Sequence, residues 1–193
     1  MKNDIILAGV GGQGILTIAA VVGRAAMAAG LNVKQSEVHG MAQRGGAVLA
    51  HLRLSDEPIY SDLIREGAAD VLLAVEPMEA LRHANMVAPD GVLLSNSVPV
   101  TNIEYPDLDE VIAQLEFFPR RVVLDADAMA REAGSARAMN MVMLGALSPF
   151  LAVDEDALPE AIRLSFERKG EEVVETNLLA YDAGRAASIN LVY

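Results

Sequence analysis

Two glycine clusters hold the residue types in this sequence that could do chemistry. The first, GVGGQG at residues 9–14, follows an apolar run and precedes a helical pattern, and Gly9, Gly11 and Gly14 fit the spacing G-x-G-x-x-G. A turn of this kind brings backbone N–H groups up to an anion at the positive end of a helix, which makes Gly11, Gly12, Gln13 and Gly14 candidate ligand-facing residues. Read as a dinucleotide turn, it calls for an acid about twenty residues further on to hold a ribose, and Glu37 is available. The second cluster is SEVHGMAQRGG at residues 36–46. Here Arg44 is the one Lys or Arg, Gly40, Gly45 and Gly46 leave the backbone free to curve around an anion, and Ser36, His39 and Gln43 add hydrogen-bonding groups. The same residues read equally as a loop that only turns the chain into a hairpin.

Other chemistry finds little support. His39, His51 and His83 show neither i, i+4 pairing nor accompanying carboxylates, so no metal site is expected. Glu76, Asp125 and Asp127 stand where strands should end; ligand-facing carboxylates occur there, but helix capping is the simpler role and the one expected. No Ser-His-Asp ordering and no nucleophile elbow occurs, and no catalytic residue is assigned. The chain has no cysteine, which excludes disulfides, thiolate zinc sites and cysteine-held iron–sulfur clusters within it.

Composition narrows the partners. A formal net charge of −12 argues against nucleic-acid binding through a basic surface, so any anion site must be local. Apolar residues make up 52% of the chain and aromatics only 4%, with nine Met, which describes a core of small aliphatics and flexible filler. The apolar surplus fits either a dense core or a surface covered by another chain. No stretch approaches eighteen uninterrupted apolar residues and the start lacks a signal-peptide pattern, so a cytoplasmic protein without a membrane span is expected.

The elements that must position these residues follow from periodicity. Residues 4–9 read as a buried strand, 15–29 as a helix apolar all round, and 32–38 as a second strand, together a βαβ unit. A hairpin is expected next: alternation through Ala47, Leu49, His51 and Arg53, a turn at Ser55–Pro58, and a short return strand. Strands follow at 70–76, 92–97 and 121–125, with a turn at Pro89–Gly91 and helices from Pro77 to Met86 and Pro106 to Glu116. The remainder reads as helices over 139–150, 155–168 and 171–187. The expected fold is α/β: a single domain over residues 1–193, three-layered and Rossmann-like, with a mixed sheet containing a hairpin and a helical C-terminal third.

GVGGQGILT, together with KQSEVHGMAQRGGAV and HLRLSDEPIYSDLI, resembles the gamma-type chain of the 2-oxoacid:ferredoxin oxidoreductases, in particular their indolepyruvate-oxidising branch. EPMEALR at 76–82 and NMVMLGAL at 140–147 extend the likeness along nearly the whole chain. The resemblance implies a small subunit inactive alone, within an enzyme that converts arylpyruvates to acyl-CoA and passes electrons to ferredoxin. It places thiamine diphosphate, magnesium and the iron–sulfur clusters on a large, cysteine-rich partner. On that reading the small subunit completes the assembly and helps shape the site where coenzyme A arrives, with residues 11–14 and 36–46 as subunit-interface or ligand-facing loops. A free-standing NAD(P)-binding Rossmann-type oxidoreductase is the alternative, resting on the glycines and Glu37.

Overall fold

The computed structural model describes residues 1–40, 46–101 and 104–189, with the side chain of His39 also outside that set. Six strands form one sheet: β1 (Lys2–Val10), β2 (Asn32–His39), β3 (Ala47–Ser55), β4 (Ala69–Ala74), β5 (Val87–Asn96) and β6 (Arg121–Leu124). Their order is β2-β3-β1-β4-β5-β6. β1, β4, β5 and β6 run parallel, whereas β3 is antiparallel to both of its neighbours, so the sheet is mixed as expected.

Alternation along β1 builds the two cores. Ile5 and Leu7 face one side of the sheet and Ile6 and Ala8 the other, all essentially inaccessible. On the first side pack α1 (Ile15–Ala28), α4 (Ala126–Glu132), α5 (Met139–Leu147), α6 (Ala157–Phe166) and α7 (Glu171–Ser188). On the second lie α2 (Pro77–Arg82) and α3 (Leu108–Leu115). All nine residues of α5 are buried, as an all-round apolar helix demands. It meets α7 backbone to backbone: a methyl at Gly145 would fall on the Tyr181 carbonyl oxygen, and one at Gly184 on that of Val142. None of the helices among the described residues is long and apolar enough to cross a membrane.

Three expectations change. The first concerns β2, which runs parallel to β1 but does not adjoin it, because β3 lies between them. The second is the return strand beyond the turn at Ser55–Pro58, which does not form. β3 already pairs β1 along one edge and β2 along the other, so no edge is free to receive it. Residues 56–66 instead hang on side chains of β3: Arg53 Nη1 donates to the carbonyls of Ser61 (3.0 Å) and Leu63 (3.3 Å), and Ile64 N donates to His51 Nδ1 (3.1 Å). The third is Pro89–Gly91, which lies inside β5 rather than in a turn before it. The register jumps from Ala69↔Val87 to Val71↔Val92, and this bulge accommodates a proline that cannot donate to a ladder.

The capping roles hold for Glu76 and Asp125 but not for Asp127. Glu76 accepts from Glu79 N at 3.0 Å and Asp125 from Ala128 N at 2.7 Å, opening α2 and α4. Asp127 takes another structural role, accepting from the buried Asn96 Nδ2 at 2.9 Å.

Two outcomes follow. Gly184→Ala forces apart α5 and α7, and overpacking against a carbonyl costs about 3 kcal/mol or more. At about 2–4 °C per kcal/mol for a chain of this length, a thermal melt registers the loss plainly. Gly23→Ala, whose new methyl would meet only Val33 Cγ1 at 3.7 Å, leaves stability unchanged or raises it by up to about 1 kcal/mol. The second outcome concerns His51, whose pKa burial lowers below 6.5, with His83 and Arg53 adding to the effect and Asp62 opposing it. As pH falls below 6.5 the unfolded chain takes up a proton that the folded chain refuses, so this part of the stability is complete above that pH and is lost below it. His51→Asn, which keeps an acceptor for Ile64 N, loses less stability than the parent between about pH 8 and about pH 5.5 in chemical denaturation.

Candidate functional site

The glycine turn leaves β1 at the point where the sheet's connections diverge: α1 packs on one face and α2, after β4, on the other. In open α/β sheets the crevice at such a switch point is where ligands bind. Here the side chain of Gln13 fills it. Its Oε1 accepts from Val10 N at 2.8 Å, and its Nε2 donates to Val75 O at 2.9 Å, so one amide joins the ends of β1 and β4. Gly9 leaves room for this arrangement, since a methyl there would collide with the side chains of Val75 and Ile15 and come within 3.1 Å of Gln13 Oε1.

Beyond Gln13, the turn faces outward. Gly12 and Gly14 hold φ values of 104° and 81°, a region that side-chain-bearing residues avoid. Gly14 is the N-cap of α1, no side chain caps that end, and the first turn contains no acid. The N–H groups of Gly12, Ile15 and Leu16 have no acceptor among the described residues. Among the described residues the positive end of this fourteen-residue helix has no acidic or capping partner, the condition that favours an anion.

The two glycine clusters do meet. Gly11 N donates to Gly46 O at 2.8 Å, and Gly40 N donates to Ala47 O at 2.9 Å, closing the β2–β3 hairpin beside the turn. Gln43, Arg44 and Gly45 lie outside the described residues, between these two anchored ends. His39 ends β2, level with Gly9 of β1 across β3 through Val48. Ser36 is not brought to the site: it pairs with His51, which pairs with Ile6, placing it in mid-sheet. Glu37 is likewise level with Leu7 rather than with the turn.

The sequence reading missed Asn140. It is buried near the start of α5 and donates from Nδ2 to Gly14 O at 3.3 Å, and a methyl on Gly14 would approach that nitrogen to 2.5 Å. The available signal was a lone amide in an otherwise apolar helix. Near the opposite side of the switch point, buried Glu76 accepts from Tyr105 Oη at 2.7 Å and from Val100 N at 3.4 Å. Burial, and secondarily this bond to Glu76, push the Tyr105 phenol well above its usual range, leaving it a neutral donor. Among the described residues no three His, Asp or Glu side chains converge to hold a metal.

Comparison with known proteins places this geometry. Residues 4–187 match the family model described as pyruvate ferredoxin/flavodoxin oxidoreductase. The chain belongs to this family. An indolepyruvate oxidoreductase subunit IorB of Archaeoglobus fulgidus is 40% identical over 200 residues, covering 98% of this chain and 97% of that one. The IorB subunit of Pyrococcus horikoshii is 39% identical over 198 residues, covering 97% and 96%. Among solved structures, the 2-oxoglutarate:ferredoxin oxidoreductase of Magnetococcus marinus, with 2-oxoglutarate, coenzyme A and succinyl-CoA bound, superposes with a TM-score of 0.78 at 29% identity. The match covers 98% of this chain and 31% of that longer one.

Membership of the pyruvate ferredoxin/flavodoxin oxidoreductase family removes support for a free-standing NAD(P) enzyme, and the geometry gives the reason. The switch-point crevice is occupied by Gln13, and Glu37, which was to hold a ribose, is two strands away from the turn. Gln13→Ala strands the Val10 N–H, while Val75 O keeps a longer bond from Asn96 Nδ2 at 3.4 Å, so the cost is about 1–3 kcal/mol for the one unsatisfied group. A fall in melting temperature with secondary structure retained is the expected result.

Proposed function

We propose that this chain is the small, non-catalytic subunit of a thiamine-diphosphate-dependent indolepyruvate (arylpyruvate):ferredoxin oxidoreductase, forming acyl-CoA and reduced ferredoxin in complex with a large subunit. The observation that carries the reading is the end-to-end match with IorB subunits at about two residues in five identical. The absence of cysteine agrees with it: clusters that need thiolate ligands must be held by the cysteine-rich partner, together with thiamine diphosphate and magnesium. A cytoplasmic location belongs to the same reading.

Within the complex, the chain's own part is to present Gly11, Gly12 and Gly14 and the 39–46 loop to coenzyme A. The bond between Gly11 N and Gly46 O supports this, since it ties one end of the segment that carries Arg44 to the turn opening α1, whose N-terminus has no side-chain cap among the described residues. Gln13 would act from behind by fixing the turn, and the mid-strand position of Ser36 argues against direct contact. In a chain of net charge −12 a phosphate is not drawn in from a distance, because salt screens exposed charges beyond about 8 Å. Capture therefore depends on donors within contact range.

The purified chain alone is expected to contain no iron and to reduce no dye with indolepyruvate and coenzyme A. Addition of the co-purifying large subunit should restore both 2-oxoacid-dependent reduction and acyl-CoA formation; activity of the single chain would overturn the reading. In the complex, Arg44→Ala should raise the KM for coenzyme A by about tenfold to a hundredfold, equivalent to one charge-assisted hydrogen bond to phosphate. The KM for the 2-oxoacid should barely move. An unchanged coenzyme A KM in an intact complex removes Arg44 from the site.

A further inference from the structure

A cleft of about 540 Å³ opens on the helical face, walled by α1, the start of α5, the α6–α7 connection and residues 134–138. A groove along α1 and the end of α6 shares Thr17, Phe166 and Lys169 with it, so the two form one trough. Asn140, the residue that bonds Gly14 O, lines the inner end, which puts the trough against the glycine turn.

The charge of this trough runs against that of the molecule. Arg24, Arg137, Arg168 and Lys169 line it, with Glu167 and Glu172 as the opposing carboxylates. None of the four cationic side chains has a hydrogen bond or ion pair among the described residues; Lys169 Nζ only rests 4.9 Å from the centroid of the Phe166 ring. Elsewhere Lys2, Arg53, Arg82 and Arg185 are each bound to a carboxylate, while Lys34, Arg65, Arg131 and Arg163 are likewise without an ion pair among the described residues, so what sets the trough apart is the convergence of its cations on one concavity. With 27 acids against 15 Lys and Arg in the chain, four cations facing two carboxylates make this concavity locally positive and favourable to an anion. An inorganic phosphate would leave most of this volume empty, whereas it falls in the range of small-molecule sites.

We propose that the trough binds the phosphate groups of a nucleotide-sized organic phosphate, with Arg137 and Lys169 contacting them near Asn140 and with Arg24 and Arg168 at the outer end. Adenosine phosphates supply this chemistry from two sources, a free nucleotide or the nucleotide end of coenzyme A. None of its described lining residues belongs to the two glycine clusters, and the proposal does not require the subunit assignment.

Calorimetry on the full chain at low salt tests it, with ADP, coenzyme A and inorganic phosphate as probes. ADP is expected to bind saturably and more tightly than inorganic phosphate, and the double variant Arg137→Ala/Lys169→Ala to weaken it at least tenfold, as the loss of charge-assisted contacts to phosphate requires. Arg65→Ala, an exposed cation outside the trough, serves as the control and should leave binding unchanged. Displacement of ADP by coenzyme A identifies the second source, and saturable ADP binding without displacement identifies the first. No saturable binding by ADP, equal binding of inorganic phosphate, or binding indifferent to the double variant while its circular dichroism matches the parent would each overturn the proposal. Failure of the subunit assignment would appear in the dye-reduction assay and leave this binding intact.

Discussion

One side-chain amide decides what the central crevice of this sheet can be. Gln13 spans from Val10 N to Val75 O, taking one backbone donor and one acceptor that strand pairing leaves unused where β1 and β4 diverge. Buried backbone groups of this kind must find partners, and a carboxamide offers both an acceptor and a donor on one rigid plane. Once it occupies the crevice, the glycine turn cannot lie flat over the switch point. Gly12 and Gly14 carry the chain around it with positive φ, and α1 starts without a side-chain cap. A sequence pattern shared with dinucleotide enzymes here opens a helix whose N-terminal N–H groups have no side-chain cap among the described residues.

The insertion of β3 between β1 and β2 has the second largest consequence. It anchors both ends of the 40–46 connection beside the glycine turn through Gly11, Gly40, Gly46 and Ala47. It also moves Glu37 two strands from the turn and leaves residues 56–66 to be held by Arg53 and His51 instead of by a ladder. The same topological choice that removes a ribose-binding acid therefore creates a junction between the two glycine clusters.

Electrostatics then limits how the junction can work. Excess acid keeps the long-range field unfavourable to phosphates, so under the proposed function any phosphate would have to be captured by short-range donors such as the helix N–H groups at the turn. The helical layer meets this need through close packing. Glycine contacts between α5 and α7 hold the fully buried α5 in place, and α5 carries Asn140 to the carbonyl of Gly14. Precision at the turn is thus supplied by a helix more than a hundred residues away in sequence.

Residue types and local periodicity alone determined the alternation of strands and helices, the mixed character of the sheet, the capping acids Glu76 and Asp125 and the lack of thiolate chemistry. These are properties of neighbours along the chain or of composition, and a period of two or of 3.6 is written in the sequence itself. Tertiary structure decided the rest: β3 separating β1 from β2, the bulge that absorbs Pro89–Gly91, the missing return strand, the mid-sheet position of Ser36, the tie between Gln13 and Val75, and Asn140 at the turn. Each depends on which strand edges remain free and which buried backbone groups still lack a partner after the layers pack. Those quantities exist only between residues far apart in the chain, so no local pattern encodes them.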